Sequence, residues 1–344
     1  MQTTSKFDIF DKITFIDGFA IILIVLYHTL TRNSDAPGAE FLLKYIRTIG
    51  LTLFIFSAGM KLGINHSQEL EDKEFLKKYF VKRFFRLYKP YFGYTALIFI
   101  PVYFEMYVAK YYFNSDYIGV SRYWSSLNIN GILNLILGSN FVSSHLWYLP
   151  FLIIITSVCF TLLYFFKTRG LFIFIVPLLI FDVFYWNCLS GSLLFLAIKY
   201  LPIYIFGIYY AYYKEYELWK KKQYLIAVSF VMIFLISLIR GNNPLFNYDL
   251  ILYGLTFPSF FILASQHLVN IPYMNNFLSI CGKYSFQIYL FHVPLLLHPI
   301  NELFNIFMDT EYSFIPYYIS FLTIVASIYA YKLCKKLGLN SLFE

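Results

Sequence analysis

The chain is 344 residues long, 59% hydrophobic, 22% aromatic and only 13% charged, with a mean hydropathy of +0.62 and a formal net charge of +8. That is too little polar side chain to cover a soluble globule of this length, so the composition places the chain in a bilayer. The basic excess does not call for nucleic acid, because the Lys and Arg residues gather in short segments between apolar runs, where membrane topology accounts for them.

Apolar windows of about 20 residues, the length that crosses a hydrocarbon core of roughly 30 Å, fall near 13–30, 43–62, 88–108, 146–166, 170–188, 192–212, 224–239, 249–266, 281–298 and 314–333. No small-residue cleavage site follows "MQTTSKFDIFDK" and the first window, so that window is expected to stay as a helix rather than leave as a signal peptide. With the N-terminus inside, 20 of the 27 Lys and Arg residues fall on the cytoplasmic side, which predicts that both termini are cytoplasmic. The expectation is an all-α, polytopic integral membrane protein. About ten transmembrane helices would surround a central cavity in one domain over 1–344, with no appended soluble domain. Windows seven and eight are short, and "GNNPLFNYD" between them suits an exposed turn. Cys159, Cys188, Cys281 and Cys334 stand singly, without CxxC or CxH spacing, so neither a metal site nor a disulfide framework is expected.

The first window, "FIDGFAIILIVLYHTL", ends a wholly apolar shaft with Tyr27 and His28. His145 in "SSHLWYLPF" and His292 in "YSFQIYLFHVPLL" come to a similar, outer level. A single imidazole there fits interfacial anchoring. Three together fit it less well, since ionisable groups within membrane segments usually face a cavity or a partner. Glu105 and Asp182, near outer helix ends, are expected to be solvated or paired. Lys199 either snorkels to the outer headgroups or faces the cavity. Ser57 reads as a small packing residue. Trp147 and Tyr148 either stack on a sugar or lie at the interface. In the long outer connection 109–145, "GILNLILG" suits a re-entrant or interfacial piece that helps shape an acceptor pocket.

On the opposite face "EFLKKYFVKRFFRLYKPYF" gathers Lys77, Lys78, Lys82, Arg83, Arg86 and Lys89. Arg83 and Arg86 are one helical turn apart and share a face. Such a guanidinium pair can hold a phosphate bidentately; a basic belt against anionic lipids is the alternative.

In order along the chain, "FIDGFAIILIVLYH", "LFIFSAGMKL", "KRFFRLYKPYF", "SSHLWYLPF" and "YSFQIYLFHVPLL" resemble the motifs of the membrane-bound acyltransferase family 3 over nearly the whole length. The resemblance implies a multi-pass protein of a bacterial plasma membrane that moves an acyl group, acetyl by default, from cytoplasmic acyl-CoA to a hydroxyl of a cell-surface polysaccharide or glycolipid. It implies no tightly bound cofactor, with the acyl-CoA thioester as co-substrate; homo-oligomerisation stays open. His28 corresponds to the family's essential histidine and is assigned as general base, a role that the intrinsic pKa of imidazole suits. Asp17 and His145 are placed beside it in the catalytic set. Arg83 and Arg86 match the family's arginine pair and, with Lys82 and Lys89, would grip coenzyme A. An arm of roughly 15 to 20 Å would then carry the thioester into a core about 30 Å thick. Tyr27, Trp147, Lys199 and His292 would line the acceptor. The competing reading, a transporter of a polysaccharide precursor or small anion, lacks an inverted repeat or paired Gly/Pro-broken helices.

The chain departs from that family at Asp17, where an Arg or Lys is usual, eleven positions before the histidine. Eleven residues return to within about 20° of the same stripe, about 16 Å deeper. The expectation is that Asp17 pairs with Arg83 or Arg86 and that Lys199 partly replaces the lost cation.

Overall fold

The structure, a computed structural model, describes residues 9–66, 69–112, 144–185, 193–213, 217–240, 249–307 and 314–342. Helix accounts for nearly all of these, and the described residues contain no strand. That is what a bilayer requires of a chain without a closed barrel, because a helix satisfies each backbone N–H and C=O within its own segment. Hydroxyls inside the apolar helices obey the same constraint. Thr95, Thr156, Thr323 and Ser327 each donate to the carbonyl four residues back.

The long elements are α1 (Ile9–Leu30), α2 (Ala39–His66), α3 (Lys73–Tyr112), α4 (Tyr148–Ile173), α5 (Ile175–Tyr185), α6 (Leu193–Tyr213), α7 (Glu217–Arg240) and α8 (Asp249–Leu268). They are followed by α9 (Pro272–Lys283), α10 (Ser285–Phe291), α11 (Leu297–Phe307) and α12 (Ile315–Lys336), and a tight turn, Ser144–Trp147, leads into α4. Among the described residues five stretches are long and apolar enough to span a membrane by themselves: Lys12–Leu30, Ala39–His66, His145–Ile173, Leu193–Tyr213 and Ile315–Lys336. The protein is thus an all-α membrane protein, and the described part of every predicted apolar window is largely helical.

α1 is central, packing on α2, α9 and α12, while α2 crosses α6. Two glycine pairs set these crossings. A Cβ on Gly18 would run into the Leu278 carbonyl and one on Gly282 into the Thr14 carbonyl; Gly59 and Gly207 meet the Tyr204 and Phe56 carbonyls in the same way. Small residues let the backbones touch, which is how helices gain packing where lipid offers no hydrophobic incentive.

Two features differ from the expectation. The basic segment does not merely precede the third helix; it forms its first half, making α3 a 40-residue helix, about 60 Å long. The ninth window, expected as one helix over 281–298, is broken into α9, α10 and α11. Between the last two, His292–Leu296 is a wide turn in which Val293 has extended dihedrals, φ −129° and ψ 142°. Pro294 explains it, because a proline ring pushes the preceding residue out of the helical region.

At the end of the fourth window Lys167 interrupts α4 at φ 56°, a left-handed value that costs a lysine strain. The next residue is held from outside the helix. The Thr168 hydroxyl donates to Glu71 Oε1 at 2.6 Å and thereby holds the Glu71 carboxyl below the usual carboxylate range. Cys159, Cys281 and Cys334 are buried free thiols, as their apolar neighbours suggest. Most of the 109–145 connection, Cys188, the 241–248 turn and the side chains of Glu105 and Asp182 lie outside the described residues.

Candidate active site

A cavity of about 780 Å³ opens between α1, α2, α3, α4 and α10. Its wall carries Lys61, Lys78, Lys82, Arg83 and Arg86, and against these five cations the only carboxylate in the lining is Asp17. The two arginines share a face of α3, as their spacing dictates, but they differ in setting. Arg86 is exposed, whereas Arg83 is only 6% exposed. The Arg83 guanidinium donates to the Tyr79 hydroxyl at 3.2 Å; among the described residues its Nε has no partner and no carboxylate pairs with it. A buried cation without a counterion is costly. The chemistry of the cavity suits an anion, and Arg83 is the most buried of its five described cations. Of the four residues expected to grip coenzyme A, Lys82, Arg83 and Arg86 line the cavity; Lys89 is exposed and does not.

Asp17 is buried, but it does not pair with Arg83 or Arg86. Its Oδ2 accepts from Lys61 Nζ and its Oδ1 from the Ser57 hydroxyl, both at 2.5 Å. The expectation was wrong because Lys61 sits nearer: Ser57 and Lys61 lie one turn apart on the α2 face that meets α1. Lys61 also supplies the cation that Lys199 was expected to replace. Lys199 is buried in α6, with its Nζ 5.7 Å from the Tyr200 ring centroid. Trp147 packs edge-on against Phe151 at 5.6 Å, and Phe151 against Tyr200 at 5.8 Å, so Trp147 and Lys199 belong to one aromatic chain. Ser57, Lys61 and Lys78 are site residues that the sequence reading missed as such. The i, i+4 spacing of Ser57 and Lys61 opposite a membrane-embedded Asp was the available signal.

Tyr148 and Tyr289 line the cavity and approach one another at 5.8 Å between rings. Beyond them the three histidines meet. The His292 ring centroid is 5.3 Å from His28, 5.9 Å from His145 and 5.9 Å from Tyr289. Three distant segments are fastened here: the Tyr289 hydroxyl donates to the His145 carbonyl, and the Tyr94 hydroxyl of α3 donates to the Val293 carbonyl at 3.2 Å. His145 and His292 are buried, each with an unpartnered Nε2, while His28 is partly buried. On the far side of His28 lie Tyr27, 5.4 Å away between rings, and Arg47 over the Tyr27 ring. Arg32 donates to His298 there. The described residues contain no His, Cys, Asp or Glu group able to hold a metal ion.

Residues 10–331, nearly the whole chain, match the acyltransferase domain of acyltransferase family 3. The chain belongs to that family. No curated protein and no solved structure matches it. Family and fold together make the chain a membrane acyltransferase, with a basic cavity that ends one tyrosine layer short of three imidazoles.

Proposed function

We propose that this acyltransferase is an acyl-CoA-dependent O-acyltransferase of a bacterial plasma membrane, acting on a hydroxyl of a cell-surface polysaccharide or glycolipid. The basic end faces the cytoplasm, in accord with the distribution of Lys and Arg. Coenzyme A lays its phosphates against Arg83, Arg86, Lys82, Lys78 and Lys61, and its thioester extends past Tyr148 and Tyr289 toward His28. The acceptor enters from the opposite side, beside Tyr27, Trp147 and His145. His28 takes the hydroxyl proton as oxygen attacks the thioester carbonyl; the C–O bond forms, the C–S bond breaks and the sulfur leaves as a thiol. Acetyl is the simplest acyl group for this scheme.

The observation that carries this reading is Arg83: a buried guanidinium without a carboxylate among the described residues, in a cavity whose wall residue Tyr289 lies against His292 and His145. The test is turnover of labelled acetyl-CoA by purified protein in lipid nanodiscs, together with mass analysis of surface glycans from cells with and without the gene. The expected result is release of coenzyme A and a glycan shift of one acyl unit. His28→Ala should lower turnover by about 10² to 10⁴-fold, the range for loss of a general base. A protein that neither binds coenzyme A nor turns over acetyl-CoA would instead support the transporter reading.

A further inference from the structure

His292 is completely buried, and its two ring nitrogens have different surroundings. Nδ1 lies 2.7 Å from the Tyr289 carbonyl and 3.1 Å from the Ile288 carbonyl. Carbonyl oxygens only accept, so Nδ1 carries the proton and Nε2 of the neutral ring is a bare lone pair. That Nε2 has no partner among the described residues.

These two carbonyl contacts fix the tautomer, and they lie about one turn before the helix break at Val293. A buried acceptor left unsatisfied is costly, and such an exception in a native structure asks for an explanation, a chemical role among them. His292 lies between the two parts of the proposed reaction. Its ring is 5.3 Å from that of His28 on one side and 5.9 Å from that of Tyr289, in the cavity wall, on the other.

The reaction moves one proton between two places. It leaves the acceptor hydroxyl at His28 and must end on the sulfur, which arrives from the cavity side. We propose that His292 is the acid that returns it: Nε2 receives the proton from His28 and delivers it to the departing sulfur. This rests on the O-acyltransferase reading above. One C–O bond forms and one C–S bond breaks, the proton passes from hydroxyl to His28 to His292 to sulfur, and the products are an ester and a free thiol with no other reactant. During transfer His292 holds a proton on each nitrogen. The Nδ1 proton stays on the Tyr289 carbonyl, so Nε2 delivers the mobile one.

The test separates acid catalysis from mere filling of the buried site by the ring. His292→Gln keeps a side-chain N–H for the carbonyl but carries no mobile proton. Its kcat/KM should be compared for acetyl-CoA, whose alkyl thiolate needs a proton to leave, and for S-acetyl-4-nitrothiophenol, whose aryl thiolate does not. The expected result is a loss of about 10² to 10⁴-fold with acetyl-CoA and of less than about tenfold with the aryl thioester, while His28→Ala loses both. Equal losses with the two thioesters, or no loss with either, would overturn the proposal. On the unsubstituted protein a series of thioesters gives an independent reading: a weak dependence of rate on the leaving thiol's acidity supports an internal acid, and a steep one overturns it. If the unsubstituted protein turns over neither thioester, the O-acyltransferase reading itself fails.

Discussion

The two ends of the site satisfy their polar atoms in opposite ways. At the basic end the described Lys and Arg residues of the lining face a single carboxylate, which is doubly held by Ser57 and Lys61, and the surplus is positive. At the histidine end there is no carboxylate among the described neighbours, and two buried nitrogens have no partner. On the proposed function the difference assigns charge to holding the acyl donor and lone pairs to chemistry. Binding and turnover should therefore come apart under mutation.

The largest effect expected from that division is at Arg83. Arg83→Gln should raise the dissociation constant for coenzyme A by about 10 to 100-fold, the worth of a charged hydrogen-bonding group, with little change in kcat at saturation; calorimetric titration beside steady-state kinetics reads both. His145→Asn should do the reverse, lowering kcat about tenfold, roughly one hydrogen bond, while the coenzyme A affinity holds. Equal damage to affinity by both variants would erase the comparison. A smaller effect tests how the basic end is assembled. Lys61→Met strands a buried carboxylate, whereas Asp17→Asn leaves a half-exposed lysine that water can solvate. Thermal melts in one detergent should find Lys61→Met the less stable of the two by about 1 to 3 kcal/mol; the opposite order would mean that the pair does not hold this end together. The smallest effect lies outside both ends, at Glu71. Its carboxyl is held below the ordinary value of 4.5 in the folded chain, so its contribution is present above that value and fades as pH falls through the lower folded one. Glu71→Gln should lower stability by less than about 1 kcal/mol at neutral pH, since the group is exposed, and the difference should vanish as pH falls through that acidic window. A difference that persists below the window would contradict the assignment.

The helices were legible because a bilayer leaves few alternatives: long apolar runs become helices wherever they occur. The interruption at Lys167 was marked too, by Lys167 and Arg169 between two runs. What the sequence hid lies in contacts between distant segments. Lys61 read as one more cytoplasmic charge, because its partner Asp17 is 44 positions away on another helix. The stripe geometry of α1 gave the depth of Asp17 correctly and said nothing of its neighbour. Arg83 and Arg86 looked equivalent on one face, and only packing against α4 and α6 separates the buried one from the exposed one. The Val293–Pro294 break had a local cause in plain view, yet the surrounding apolar run masked it. The convergence of His28, His145 and His292 was readable as a shared level, but their ring contacts needed the fold.

On the proposed function the Arg83 guanidinium, without a carboxylate partner among the described residues, would tie folding to metabolism. An occupant that brings the missing anion relieves a cost the empty chain carries, and a ligand at a hundred times its dissociation constant adds about 2.7 kcal/mol to the native state. The acyl donor would then act as a folding chaperone for its own enzyme, and starvation for it would shorten the protein's lifetime before it slowed the reaction.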